Sequence, residues 1–154
     1  MTELSPEIVE LEPQEAIAVR GEVAFDELPA FFERAFRESA EAASASGVDI
    51  VGPPFGFYPE MPTETVVVEA GFPVSARPEP HGSAHRLVLP GGRAVRATHV
   101  GPYEAMARSY GELRAWMAQQ HLEPAVGMWE CYLSDPETET DPATWRTQIV
   151  WPIA

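Results

Sequence analysis

Glu130 lies in the run Trp129-Glu130-Cys131-Tyr132, a carboxylate set among aromatic and apolar side chains. The run reads as a buried strand, in which alternate side chains share a face. Glu130 and Tyr132 then point one way, and Trp129 and Cys131 the other. An ionised carboxylate pressed into an apolar site costs several kcal/mol unless something neutralises it. An arginine from another strand can do so, with Arg96 or Arg146 as candidates. Otherwise the site is wet, or a ligand arrives from outside. The chemistry open to such a group is capture of a cation or activation of a water.

Aromatic residues elsewhere can complete the site. Tyr58, Tyr103, Tyr132 and Trp145 can form a cage whose ring faces attract cations, at about 0.5–2 kcal/mol each when desolvated. Tyr58 and Tyr132 share the parity of the carboxylate position. If the first-half strand is shifted by one residue, Phe55 and Phe57 face the site instead, so Phe57 is a candidate too. Tyr110, Trp116, Phe32 and Phe36 recur at helical spacing and read as core. His99, just before Gly101-Pro102, is an acid or base near the site or, more simply, a turn-stabilising hydrogen bonder. Cys131, of opposite parity to Glu130, reads as an inert buried thiol. The histidines form no HExxH motif, and no metal is expected. No GxGxxG, Walker or GxSxG pattern occurs, so neither a cofactor nor ordinary esterase chemistry is expected. Gly91-Gly92 reads as a hairpin turn.

The elements that must position these residues occur twice. Glu15 to Glu22, an amphipathic run from Phe25 to Ser46, Gly52 to Glu60, and Thr63 to Val74 form the first unit. Gly92 to His99, Pro102 to His121, Val126 to Asp135, and Thr144 to Ile153 form the second. Ala18-Val19-Arg20 matches Ala94-Val95-Arg96 at the head, and Phe72-Pro73-Val74 matches Trp151-Pro152-Ile153 at the tail. Each unit reads strand-helix-strand-strand. The helices are predicted from stripes at three- and four-residue intervals: Leu28, Phe31, Phe32, Ala35, Phe36 and Ser39, then Tyr103, Met106, Tyr110, Leu113 and Met117. Asp26 is the expected N-cap of the first, with Pro29 in its first turn and Gly47 at its end. Ser75 to Ser83 reads as a connector and Pro136 to Pro142 as an exposed acidic loop. The expectation is one α+β domain over residues 1–154, built from pseudo-repeats at about 7–74 and 82–153. Antiparallel sheets carry both helices on one face. A curved sheet would place the cleft on its concave side, away from the helices. Matching Tyr58 to Tyr132 sets Gly56 opposite Glu130.

The chain has 154 residues, 45% of them apolar, enough for a sizeable core. Its ten basic residues are all arginines, against 24 acidic ones, for a net charge of −14. That balance repels phosphate backbones and anionic membranes. No apolar stretch approaches the ~20 residues needed to span a bilayer. Residues 1–6 lack the basic start and apolar run of a signal peptide, and a cytoplasmic location is expected. One cysteine excludes an internal disulfide framework.

The run Leu89-Pro90-Gly91-Gly92, His99-x-Gly101-Pro102-Tyr103, Tyr110, Leu113, Trp116 and Trp129-Glu130-x-Tyr132 resembles the GyrI-like small-molecule-binding domain. That domain is also the effector domain of multidrug-responsive AraC- and MerR-type regulators. Gly52-Pro53-Pro54, Tyr58 and Phe72-Pro73-Val74 resemble the same family, and the similarity runs from about Glu7 to Ile153. It implies a duplicated fold with a central cleft, in which a glutamate matched here by Glu130 recognises cationic lipophilic compounds. The regulators' added DNA-binding domain has no counterpart in this chain, so direct nucleic-acid binding is not implied. Some members are hydrolases of cyclopropane-bearing toxins. The reading that follows is a stand-alone binder of a cationic aromatic small molecule. Glu130, Tyr132, Tyr58, Tyr103, Trp145 and Phe57 are its candidate ligand-binding residues. One alternative is a hydrolase with Glu130 activating a water and Tyr103 assisting the leaving group. Another is a protein-interaction or inhibitor module.

Overall fold

A computed structural model describes residues 4–60, 63–134 and 138–153 and places the helices where the stripes put them. In chain order the elements are β1 (Glu7–Leu11), β2 (Gln14–Ala24), α1 (Leu28–Ser46), β3 (Phe55–Tyr58) and β4 (Thr65–Pro73). There follow β5 (Ala84–Leu89), β6 (Gly92–Val100), α2 (Met106–Gln119), β7 (Met128–Tyr132) and β8 (Arg146–Pro152). Each helix is entered through a 3-10 turn, Phe25–Glu27 or Tyr103–Ala105. Asp26 does not cap α1: Glu27 holds the N-cap position without a side-chain cap hydrogen bond, and its carboxylate instead accepts from the Ala24 N–H at 3.1 Å, closing the 3-10 turn. Gly47 closes α1 at φ 75°, a left-handed conformation that favours glycine, and its N–H reaches the Ala43 and Ser44 carbonyls.

The strands form one antiparallel eight-stranded sheet in the order β1-β6-β8-β7-β3-β4-β2-β5. β3 and β7 meet at the centre, and the order reads the same outward from that seam on both sides. Gly56 lies opposite Glu130 across the seam. Gly56 is also its equivalent in the other half, since Gly56 pairs with Ala70 on β4 and Glu130 with Ile149 on β8. Tyr58 is thereby the counterpart of Tyr132. The tail match of Pro73 with Pro152 holds, but the head match slips by two residues. Ala16 faces Pro73 as Ala94 faces Pro152, so Ala16-Ile17-Ala18 is the true equivalent of Ala94-Val95-Arg96. A two-residue slip preserves strand parity, which is why residue similarity alone concealed it.

Two strands lie outside the expected pattern. β1 adjoins β2 in sequence yet pairs with β6, and β5 adjoins β6 yet pairs with β2. Each half thus receives its outer strand from the other half's end of the chain. The hairpin expected at Gly91-Gly92 is therefore a crossing between halves. Gly91 is needed there because a Cβ would stand 2.8 Å from the Leu11 carbonyl oxygen and 2.7 Å from the Pro13 ring. Gly92 adopts φ 109°.

Both helices cover the same face. α1 buries Phe31, Ala35 and Ala42 on Ile17, Val19, Val66 and Val68. α2 buries Met106, Leu113 and Met117 on Val95, Ile149 and Trp151. The opposite face is closed by a third core of Ala16, Ala18, Phe55, Leu89, Trp129 and Val150, with Phe57 and Cys131 packed against it. Among the described residues that side is packed with side chains. The curl that was expected to open a cleft fills with its own side chains.

Candidate functional site

β7 presents Glu130 and Tyr132 to the helix-covered face, and β3 presents Gly56 and Tyr58 beside them. Glu130 is 9% exposed. Tyr110, reaching down from α2, donates to Oε2 through a very short hydrogen bond. The Tyr132 hydroxyl donates to Oε1 at 2.9 Å and lies 3.4 Å from the Tyr58 hydroxyl. Gly56 makes room for this arrangement: a Cβ there would stand 2.9 Å from the Tyr132 hydroxyl and 3.0 Å from the Phe32 ring.

The carboxylate is thus solvated by phenols and not by an arginine. Arg96 is engaged with Glu7 at 2.8 Å, on the far side of β6. Arg146 is exposed. Among the described residues no cation is ion-paired with Glu130, and the structural ion-pair alternative finds no support. Burial pushes the Glu130 carboxyl up from the ordinary 4.5, and hydrogen bonds from Tyr110 and Tyr132 oppose that rise without cancelling it. Burial, aided by the neighbouring carboxylate, holds the Tyr58, Tyr110 and Tyr132 phenols above their ordinary range, so all three stay neutral donors. The half-buried Cys131 thiol is pushed up to about 11, chiefly by burial, and is unreactive at neutral pH.

A cleft of about 440 Å³ opens from this cluster between α2 and the 124–127 loop. Glu130, Tyr58, Tyr110, Met128 and Trp151 line it, together with the exposed Arg114. The Trp151 ring lies 5.9 Å from Tyr110, and its indole N–H donates to the Ala125 carbonyl, tying this wall to the loop.

The remaining candidates divide. Tyr103 sits edge-on to Tyr132 at 6.1 Å, and Trp145 packs on Tyr103 at 5.1 Å. These two extend the aromatic cluster outward without lining the cleft. Phe57 is on the other face, 6.2 Å from Trp129, because the observed register puts Gly56 and Tyr58 on the side of the carboxylate. Tyr110 belongs to the site and not to the plain core. A buried phenol needs a partner, and its place on the stripe of α2 aims it at β7. Phe32 and Phe36 flank Tyr132 at 5.6 and 6.2 Å. His99 ties the end of β6 to α2. Its Nε2 lies 3.0 Å from the Pro102 carbonyl, which only accepts, so Nε2 carries the proton. Nδ1 meets the Ser109 hydroxyl at 2.6 Å. His81 and His85 are four residues apart, but His81 stands before the turn into β5 and His85 on β5 itself, where it is bonded to Glu69 at 2.8 Å. Among the described residues no group of three or more metal-ligating side chains converges.

The same fold recurs in solved structures. The C-terminal domain of EcmrR superposes with a TM-score of 0.82 at 20% identity, covering 98% of both chains. In the EcmrR–DNA complex the TM-score is 0.81, also at 20% identity, and covers 98% of this chain but 57% of EcmrR. A hydrolase encoded by lin2189 from Listeria innocua matches at 0.70 with 14% identity, over 99% of this chain and 93% of that one. SAV2435 bound to tetraphenylphosphonium matches at 0.63 with 9% identity, over 98% and 94%. No curated protein sequence matches the chain. The model of the GyrI-like small molecule binding domain matches residues 4–154, and the chain belongs to that family.

Proposed function

We propose that the protein binds a cationic aromatic small molecule in the cleft of Glu130, which supplies the counter-charge. The observation that carries this reading is a buried carboxylate whose hydrogen-bond donors, among the described residues, are neutral phenols. The phenols of Tyr110 and Tyr132 make the charge tolerable, yet its pKa stays raised, so a partner cation has free energy to recover there. A neutral ligand would displace water from the carboxylate and leave it poorly solvated, so selectivity for cations follows from cost as well as attraction. The tetraphenylphosphonium on SAV2435 is a lipophilic cation of this type. With a net charge of −14, duplex DNA is not a partner of this domain.

The test is a titration with tetraphenylphosphonium and with neutral triphenylphosphine oxide, each read by melting-temperature shift. The cation should stabilise the protein at concentrations where the neutral compound has no effect. Equal shifts from both would overturn the proposal. Mass spectrometry of a recovered cyclopropane-bearing probe separates binding from turnover, since hydrolysis adds one water. If turnover occurs, the proton-transfer partner of Glu130 is Tyr110 or Tyr132, which touch it, and not Tyr103.

A further inference from the structure

The two halves hold the same scaffold, and their differences show what has been added to one of them. Counted from the start of each helix, Tyr110 occupies the place of Phe32, and Arg114 that of Phe36. Trp151, just before Pro152, occupies the place of Phe72 before Pro73. In the first half Phe36 packs on Phe72 at 5.8 Å and on Tyr132 at 6.2 Å, so that region is apolar. In the second half the Arg114 guanidinium lies 5.4 Å above the Trp151 ring, on the wall of the open cleft. The chain thus carries a carboxylate where its other half has Gly56, and a guanidinium where its other half has Phe36. Both additions line one cavity.

Arg114 is exposed, and among the described residues no carboxylate is ion-paired with it. A guanidinium stacked on an aromatic ring keeps its in-plane donors free for a carboxylate. Tyr110, which touches Glu130, lies one turn before Arg114 on α2, or about 6 Å along the helix axis. A ring system can span that interval along Met128 and Trp151.

We infer that Arg114 makes the cleft selective for aromatic zwitterions, whose ammonium group meets Glu130 and whose carboxylate meets the guanidinium at the rim. This rests on the cation reading of Glu130 and adds a second recognised charge. Glu60 lines the same cleft beyond Tyr58, and its carboxylate weakens the hold on the ligand's anionic end. Since Arg114 is exposed, its contribution is modest, roughly threefold to fivefold in affinity.

Three probes on a biphenyl core test this: the aminomethyl compound, the same compound with a carboxylate on the far ring, and the methyl ester of that acid. The zwitterion should bind the wild type roughly threefold to fivefold tighter than the ester. Arg114→Met keeps the aliphatic cover over Trp151 and should abolish that preference, while the simple amine binds more tightly because a like charge has left the rim. Arg114→Lys should keep part of the preference, and Glu60→Gln should increase it. Glu130→Gln should weaken all three probes while leaving the zwitterion-to-ester ratio unchanged. If amine binding depends on Glu130 but zwitterion and ester bind equally, the Arg114 inference is overturned and the cation reading stands. If Glu130→Gln leaves the amine unaffected, or no probe binds, both are overturned.

Discussion

Glu130 is costly to bury, and that cost should be measurable as a function of pH. Its carboxyl is raised above the ordinary 4.5, chiefly by burial. Well below that value it is protonated in the folded and unfolded chain alike. As pH rises through the raised folded value, the native state must bury a charge, and the stability this group contributes is lost. Glu130→Gln should therefore melt no lower than the wild type at neutral pH, and any gain should vanish as pH falls toward 4.5. An arginine-paired glutamate would show the opposite, a clear drop in melting temperature. Ligand binding has its own dependence. The cation needs the ionised carboxylate, so affinity should fall by up to about tenfold per unit as pH drops below the raised pKa, and binding should release a proton. Glu130→Gln should lose about 1.5–3 kcal/mol of cation affinity together with this pH dependence. Tyr110→Phe deletes a donor to the charged form and should move the pH midpoint of binding upward. Isothermal titration across pH, in buffers of different ionisation enthalpy, measures all of these. A flat affinity profile in the wild type would refute the role given to Glu130.

At the scale of elements, the β3–β7 seam sets the site. A strand pair that brings Gly56 opposite Glu130 leaves a gap on the helix side, and Tyr132 uses it. Gly56→Ala should push on the Tyr132 hydroxyl and on Phe32, disturbing the hydrogen bonds to Glu130 and Tyr58. The expected cost is about 1–3 kcal/mol of stability, with a loss of cation affinity beyond what the stability change explains. Thermal melts together with the tetraphenylphosphonium titration check it. Unchanged affinity would show that Tyr132 does not need its observed position. His99 works at the same scale, pinning the turn into α2 from which Tyr110 is aimed. His99→Ala removes buried hydrogen bonds to Ser109 and Pro102 and should destabilise the protein by about 2–4 kcal/mol.

At the scale of the whole molecule, the two halves are interlocked by their outer strands. β1 completes the half that contains α2, and β5 completes the half that contains α1. Removal of the first eleven residues should therefore strip protection from the amides of β6, far along the chain, and leave β2 largely protected by β4 and β5. Hydrogen exchange read by mass spectrometry distinguishes this from local fraying, in which the start of β2 would lose protection first. The interlock also couples the site to both ends of the chain, because β6 carries His99 and borders β8, the neighbour of β7.

Much of this was readable from residue order, because helices and strands are local. The stripes of α1 and α2, the parity of Glu130 with Tyr132, the repeat and its tail match all survive in three dimensions. The terminal choices were less local: Asp26 falls inside a 3-10 turn that precedes the helix, so it does not stand at the N-cap. Tertiary structure alone decided the rest. Strand exchange depends on which edges meet, and an edge offers the same unpaired N–H and C=O groups to any partner. The face of the cleft depended on which side of the sheet is packed shut, and Phe55, Trp129 and Leu89 fill the side away from the helices. Tyr110 has the helical spacing of a core residue, and only the approach of α2 to β7 turns its hydroxyl into a partner for Glu130. Arg114 had no sequence signal of its own, since its meaning lies in standing over Trp151 where the other half of the chain has Phe36 over Phe72.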